Sequence, residues 1–263
     1  MCLLLVAVDV VPGVPLLLLG NRDEFHGRAS TAAAPWPEDA RIVGGRDRVA
    51  GGSWLALRVD GRFAAVTNLR TGVPATAPKS RGALVSGFVL GDATPVVHLD
   101  LLRASTGDYG PFNLVVGDRD GVHALGSADA QVRRLGPGVH VVSNGAFGVH
   151  WPKTARLQRR FEDAVRSGAV HDETSVLDLL RDETRPNDEE LPDTGVGLEL
   201  ERRLSPIFIR GPQYGTRAGT LLMRHADGAL VLRERRFGPD AVADGEDRWA
   251  APPGGQFEQT AAF

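Results

Sequence analysis

Two short apolar runs, Leu3–Val8 and Leu16–Leu19, flank Pro12-Gly13, and this pattern predicts a buried strand, a turn and a second buried strand. Strands apolar at consecutive positions are covered on both faces, so this antiparallel hairpin is expected inside a layered structure. A second hairpin is predicted from Ser53–Val59 and Arg62–Asn68, joined by Asp60-Gly61, a dipeptide suited to a tight two-residue turn. Helices are predicted at Ser80–Leu90, Thr94–Arg103, Lys153–Ser167 and Asp172–Leu180. Thr94 supplies a cap with Pro95 in the first turn, and Leu157, Phe161 and Val165 recur at four-residue spacing before a stop at Gly168. Further strands are read at Asn113–Gly117, Gly121–Leu125, Val139–Asn144, Thr220–Arg224 and Ala229–Arg236. The order is mixed and rich in hairpins, with no internal repeat and no low-complexity tract longer than Thr31–Pro35. Asp182–Asp193 reads as an exposed loop and Ala250–Phe263 as a loose tail, leaving 1–249 as a single domain.

Composition narrows the function classes. A chain of 263 residues with 42% hydrophobic and 24% charged residues is long enough to bury a core. A net charge of −3 without a local basic patch points away from nucleic acid as a partner. Cys2 is the single cysteine, so an intramolecular disulfide and a Cys-x-x-Cys site for zinc, an iron–sulfur cluster or covalent haem are excluded. A reducing, cytoplasmic setting is expected. The apolar stretch Cys2–Gly20 is not read as a signal peptide or membrane span, because no positive segment precedes it and Asp9, Pro12, Gly13 and Pro15 interrupt it.

Four features carry candidate chemistry. Removal of the initiator methionine before a small residue would leave Cys2 with a free α-amine beside its thiol. Their reference pKa values, about 7.7–8.0 and about 8.5, let one residue supply both base and nucleophile near neutrality. Taken alone, Cys2 also fits a small hydrophobe at a chain start. Asn21-Arg22-Asp23-Glu24 follows the second buried strand, whose far end should lie near the N-terminus; the alternative is a solvated turn. Asn68 and Asn144 each end a predicted strand, where a side-chain amide could donate to an oxyanion or simply serve a turn. Arg217 lies just before a strand among small residues, as a site cation or a surface charge.

With MCLLLVA at the start, LLGNRDEFHGR, GGSWLAL, VTNLR, VSNG and YGTRAGT, the chain resembles the NRDE family, also called the Transport and Golgi organization 2 family. That family in turn resembles cysteine N-terminal-nucleophile hydrolases, which implies an α+β fold: a four-layer αββα sandwich of two mainly antiparallel sheets. Carried over, the resemblance implies Cys2 as nucleophile with its own amine as base, and Asp23 holding the amine. Arg22 and Arg217 would polarise the thiol or bind substrate, and Asn68 and Asn144 would stabilise the oxyanion. Ungapped matching places Glu24 at the acidic position, and strand alternation sends Arg22 and Asp23 to opposite faces unless a bulge intervenes, so Glu24 rivals Asp23. The implied activity is hydrolysis of a non-peptide amide or related acyl bond through a Cys2 thioester, without cofactor or metal. The alternative is a non-catalytic protein handling haem or an acyl lipid in the same pocket. The expected ligand is a small acyl amide or a lipid-like molecule. Gly51, Gly52 and Trp54 match a family-like segment but are given no chemical role.

Overall fold

The computed structural model describes residues 3–72 and 76–261. The chain begins with strands β1 (Leu3–Val11), β2 (Val14–Phe25), β3 (Ser30–Trp36), β4 (Asp39–Asp47), β5 (Leu55–Arg58) and β6 (Phe63–Asn68). Helices α1 (Gly82–Val89) and α2 (Pro95–Arg103) lead to strands β7 (Phe112–Gly117), β8 (Val122–Gly126), β9 (Val132–Leu135) and β10 (Gly138–Val142). Helices α3 (Pro152–Ser167), α4 (Glu173–Asp178) and α5 (Leu198–Leu204) follow. Strands β11 (Tyr214–Arg224), β12 (Leu230–Phe237), β13 (Ala243–Ala251) and β14 (Glu258–Thr260) complete it.

These strands form two seven-stranded sheets, ordered β10-β1-β2-β11-β12-β13-β14 and β3-β4-β5-β6-β7-β8-β9, with antiparallel pairing throughout both ladders. The layering explains the unbroken apolar runs. Along β1, Leu4 and Val6 pack between the sheets, whereas Leu3, Leu5 and Ala7 pack outward against Leu157 and Phe161 of α3. The same alternation divides Leu16 and Leu18 from Leu17 and Leu19 in β2. On the far side, Leu84 and Phe88 of α1 and Leu99 of α2 cover Ala64, Val66 and Leu114 of the second sheet. The result is the αββα sandwich, with the inter-sheet core at its centre.

Local signals account for the element ends. The Thr94 side chain accepts the Val97 N–H with Pro95 in the first turn, and Asp172 accepts from Thr174 and Ser175 at the start of α4. Gly168, in the left-handed region at φ 79°, ends α3.

Several expectations are corrected. The alanine tract Thr31–Pro35, to which the sequence pattern assigns no element, lies inside β3, an edge strand where proline is tolerated. Asn21–Glu24 is not a turn: β2 continues through it to Phe25. Asp182 is buried at the start of the expected exposed loop, taking Arg156 Nε at 2.6 Å and Arg160 at 3.3 Å. Residues 250–261 do not trail away. Ala250 and Ala251 finish β13, a turn around Pro252–Gly255 reverses the chain, Phe257 enters the inter-sheet core, and β14 pairs with β13. Among the described residues no helix is long and apolar enough to cross a membrane.

Because Phe257 is buried, Phe257→Ala is expected to cost about 3 kcal/mol in a urea unfolding experiment. An unchanged midpoint would return residues 252–261 to the status of a dispensable tail.

Candidate functional site

The site is organised by β2, which is paired on both edges. On one side Leu3 of β1 lies opposite Asn21; on the other, Asp23 lies opposite Thr216 and Arg22 opposite Ala218 of β11. Arg217 is therefore an extra residue in β11, a bulge that leaves the alternation of β2 intact. Asn21 points to the helical side, where its amide donates to the Leu180 and Ile207 carbonyls at 3.0 and 2.8 Å. Arg22 points between the sheets and lies over the Trp54 ring at 4.3 Å. Asp23 returns to the other face, where its Oδ1 accepts the Thr216 hydroxyl at 2.6 Å, while Thr216 Oγ1 accepts the Ile209 N–H at 2.9 Å. Glu24 accepts its neighbour's N–H, from Phe25, at 2.9 Å and lies 3.7 Å from Arg28. Arg22 and Asp23 thus occupy opposite faces.

A cavity of about 360 Å³ opens at this end of β2. Arg22, Asp23 and Glu24 line it together with Trp54, Asn68 and Arg81. Its walls are fixed by packing. The Trp54 ring lies where a side chain on Gly45 would project, since a Cβ there would sit 2.2 Å from the ring. Gly52, at φ +75°, lies so close to the start of α1 that a Cβ on it would sit 2.3 Å from the Gly82 carbonyl, and Ser53 N–H donates to that carbonyl at 3.2 Å. The Gly-Gly-Ser-Trp segment therefore closes its loop against the start of α1, while the Trp54 ring packs in the inter-sheet core. Arg28 Nε and Nη2 both donate to Asp47 Oδ2, at 3.0 and 2.7 Å, while Asp47 Oδ1 accepts the Val49 and Ala50 N–H groups.

Burial opposes the charge on Arg22 and lowers its pKa from the ordinary guanidinium value; Glu24 acts against that shift and Arg217 adds to it. For Asp47, burial pushes the carboxyl up, but the Arg28 guanidinium and the Ala50 and Val49 N–H groups outweigh it and hold it below the usual carboxylate range.

The cavity brings together Arg22, Asp23, Glu24 and Asn68 from the candidate set. Asn144 stands one step back: its amide donates to the Asn68 carbonyl at 2.8 Å, and its own carbonyl accepts the Arg70 N–H at 2.8 Å. Arg217 donates to the Phe25 carbonyl at 3.4 Å and to the Arg28 carbonyl, and it lines a second, smaller cavity instead. Cys2 lies outside the described residues. Trp54 carried a readable signal in its Gly-Gly-Ser-Trp setting, whereas the Arg28–Asp47 pair joins residues separated in sequence and had none.

The profile of the Transport and Golgi organisation 2 family matches residues 1–239. The chain belongs to that family. It is 30% identical over 261 residues to the human Transport and Golgi organization protein 2 homolog, covering 89% of this chain and 92% of that protein. Its identity to the Drosophila melanogaster Transport and Golgi organization protein 2 is 29% over 277 residues, covering 89% and 91% of the two chains. Among solved structures, the Caenorhabditis elegans N-acylethanolamine-hydrolyzing acid amidase ortholog superposes with a TM-score of 0.51 and 13% identity, covering 84% of this chain and 92% of that one. The C2A mutant of conjugated bile acid hydrolase from Clostridium perfringens gives a TM-score of 0.51 and 7% identity, covering 100% and 97%. This member of the family therefore has the N-terminal-nucleophile hydrolase fold.

Two outcomes follow for the cavity wall. Gly45→Ala forces a collision with the Trp54 ring and is expected to destabilise the protein by about 1–3 kcal/mol, read from urea unfolding with tryptophan fluorescence. The lowered Asp47 pKa contributes stability above the unfolded value of about 3.9, and this is lost as pH falls through the still lower folded value. Asp47→Asn is thus expected to destabilise near neutral pH and to approach the parent progressively as pH falls below about 4. A constant offset across that range would refute the linkage.

Proposed function

We propose that the chain is an N-terminal-cysteine hydrolase that cleaves a non-peptide amide or related acyl bond through a Cys2 thioester. The observation that carries the proposal is the pairing of Leu3 with Asn21, which starts β1 beside Arg22 and Asp23 at the 360 Å³ cavity. Leu3 follows Cys2 in the chain, and consecutive Cα atoms are about 3.8 Å apart, so this pairing supports a role for Cys2 beside Arg22 and Asp23. The fold shared with a nematode acid amidase and a clostridial bile acid hydrolase supports the reaction class.

In this route Met1 is removed and the freed α-amine takes the Cys2 proton. The thiolate attacks the acyl carbon, a C–S bond forms and the C–N bond breaks, with the amine leaving group receiving the proton. Water, deprotonated by the same amine, then cleaves the thioester to the acid and restores the thiol. Arg22 favours the thiolate by its charge. Asp23, held by Thr216, is the candidate anchor for the ammonium, and Glu24 is its rival on the opposite face. Asn68 lines the cavity and is the candidate oxyanion donor, while Asn144 and Arg217 position the strand ends around it. The lining charges of Arg22, Glu24, Arg28, Asp47, Lys79 and Arg81 support a polar ligand over the haem or acyl-lipid alternative.

Intact mass before and after brief treatment with a thiol-directed electrophile at neutral pH tests the proposal. Expected are loss of Met1, labelling of Cys2 much faster than in the unfolded chain, and abolition of labelling and turnover in Cys2→Ala. Arg22→Gln is expected to slow labelling about tenfold, the effect of a one-unit rise in thiol pKa. Retained Met1, or labelling no faster than in urea, would overturn it.

A further inference from the structure

A second cavity of about 250 Å³ adjoins the first, and Arg22 and Trp54 line both. Arg22 is only 5% exposed, yet among the described residues its guanidinium makes no hydrogen bond and no ion pair; its contact is the face of Trp54 at 4.3 Å. A guanidinium that lines both cavities and has no acceptor among the described residues is available to a ligand anion.

The rest of the chamber fits that role. Arg217 and Arg236 add two more guanidinium groups, each held in place by other partners: Arg217 by the Phe25 and Arg28 carbonyls, Arg236 by Asp247. The acidic groups are Asp244 and Glu234. Glu234 is fixed by the Ala33 N–H at 2.9 Å and lies 3.8 Å from Arg236. Burial pushes its carboxyl up, toward the neutral form that donates a hydrogen bond, against the pull of the Ala33 N–H, Arg236 and Arg22. The Ser30 and Thr31 side chains complete the polar lining. At about 30 Å³ per water in the liquid, the space corresponds to roughly eight waters, enough for a carboxylate on an arm of several carbons.

We propose that this chamber is a binding subsite for a carboxylate at the end of a short arm of the ligand, with Arg22 as the partition between that arm and the main cavity. The ligand class is then an amide or acyl derivative bearing a short carboxylate arm. The assignment deepens the hydrolase reading and rests on it for the position of the reacting bond, whereas the binding itself needs no turnover.

Calorimetric titration of the full-length protein and of its Cys2→Ala variant with glutarate and with dimethyl glutarate tests the subsite. Saturable glutarate binding by both proteins is expected, at least tenfold tighter than that of the neutral diester. Arg217→Gln is expected to weaken glutarate at least fivefold. Because that change could loosen the β2 end, Ser30→Leu, which fills the chamber from its rim, is a second variant with the same expected loss. Glutaric monoanilide and N-butyryl-β-alanine carry the carboxylate on the acyl and amine sides respectively, and the tighter of the two assigns the arm. Absence of saturable glutarate binding, equal binding of the diester, or full binding by Ser30→Leu would overturn the subsite. Glutarate binding with an inert Cys2 would leave the subsite standing and remove the hydrolase reading; fast Cys2 labelling without glutarate binding would do the reverse.

Discussion

A cation placed between two β-sheets gives up most of its hydration, and here the face of Trp54 holds Arg22. The rest of the site is arranged around that pair. Trp54 reaches Arg22 because Gly45 leaves the ring its space and because Gly52 lets the loop close against Gly82 at the start of α1. Arg22 reaches Trp54 because β2 is an inner strand whose even positions face the inter-sheet core. One stacking contact thus ties both sheets and the outer helical layer of the second sheet to a single point.

The strongest elements were legible because their periodicity and turn chemistry agreed. The β1–β2 and β5–β6 hairpins and helices α2 and α3 each carried both a pattern and a start or stop signal. Strand β3 did not, because alanine has little strand preference and this strand is held by tertiary bonds, Ala33 N–H to Glu234 and the Trp249 indole N–H to the Ala33 carbonyl. The C-terminal segment was misleading for a similar reason: proline and glycine mark a turn as readily as a tail, and what decides between them is one aromatic side chain, Phe257, entering a distant core.

The candidate site was legible in type and less so in arrangement. Asn21–Glu24 advertised itself by placing three charges after an apolar strand, and alternation along β2 separates Arg22 from Asp23 as the pattern implies. Nothing in the sequence distinguishes Asn68, which lines the cavity, from Asn144, which clamps the Asn68 carbonyl, because both follow apolar strands. Nor does it show that Arg217 is a bulge residue whose neighbours pair with β2 on either side of it. Such distinctions arise only when separate strands meet.

The capture of Ala33 also bears on self-association. An outer strand normally offers its free backbone groups to any extended chain that approaches, the route to intermolecular sheet growth. At the middle of β3 both the N–H and the carbonyl of one residue are already occupied by side chains reaching across from the opposite sheet. A foreign strand meeting this edge finds its template interrupted at the centre, so hydrogen bonds from the opposite sheet protect this border of the sandwich.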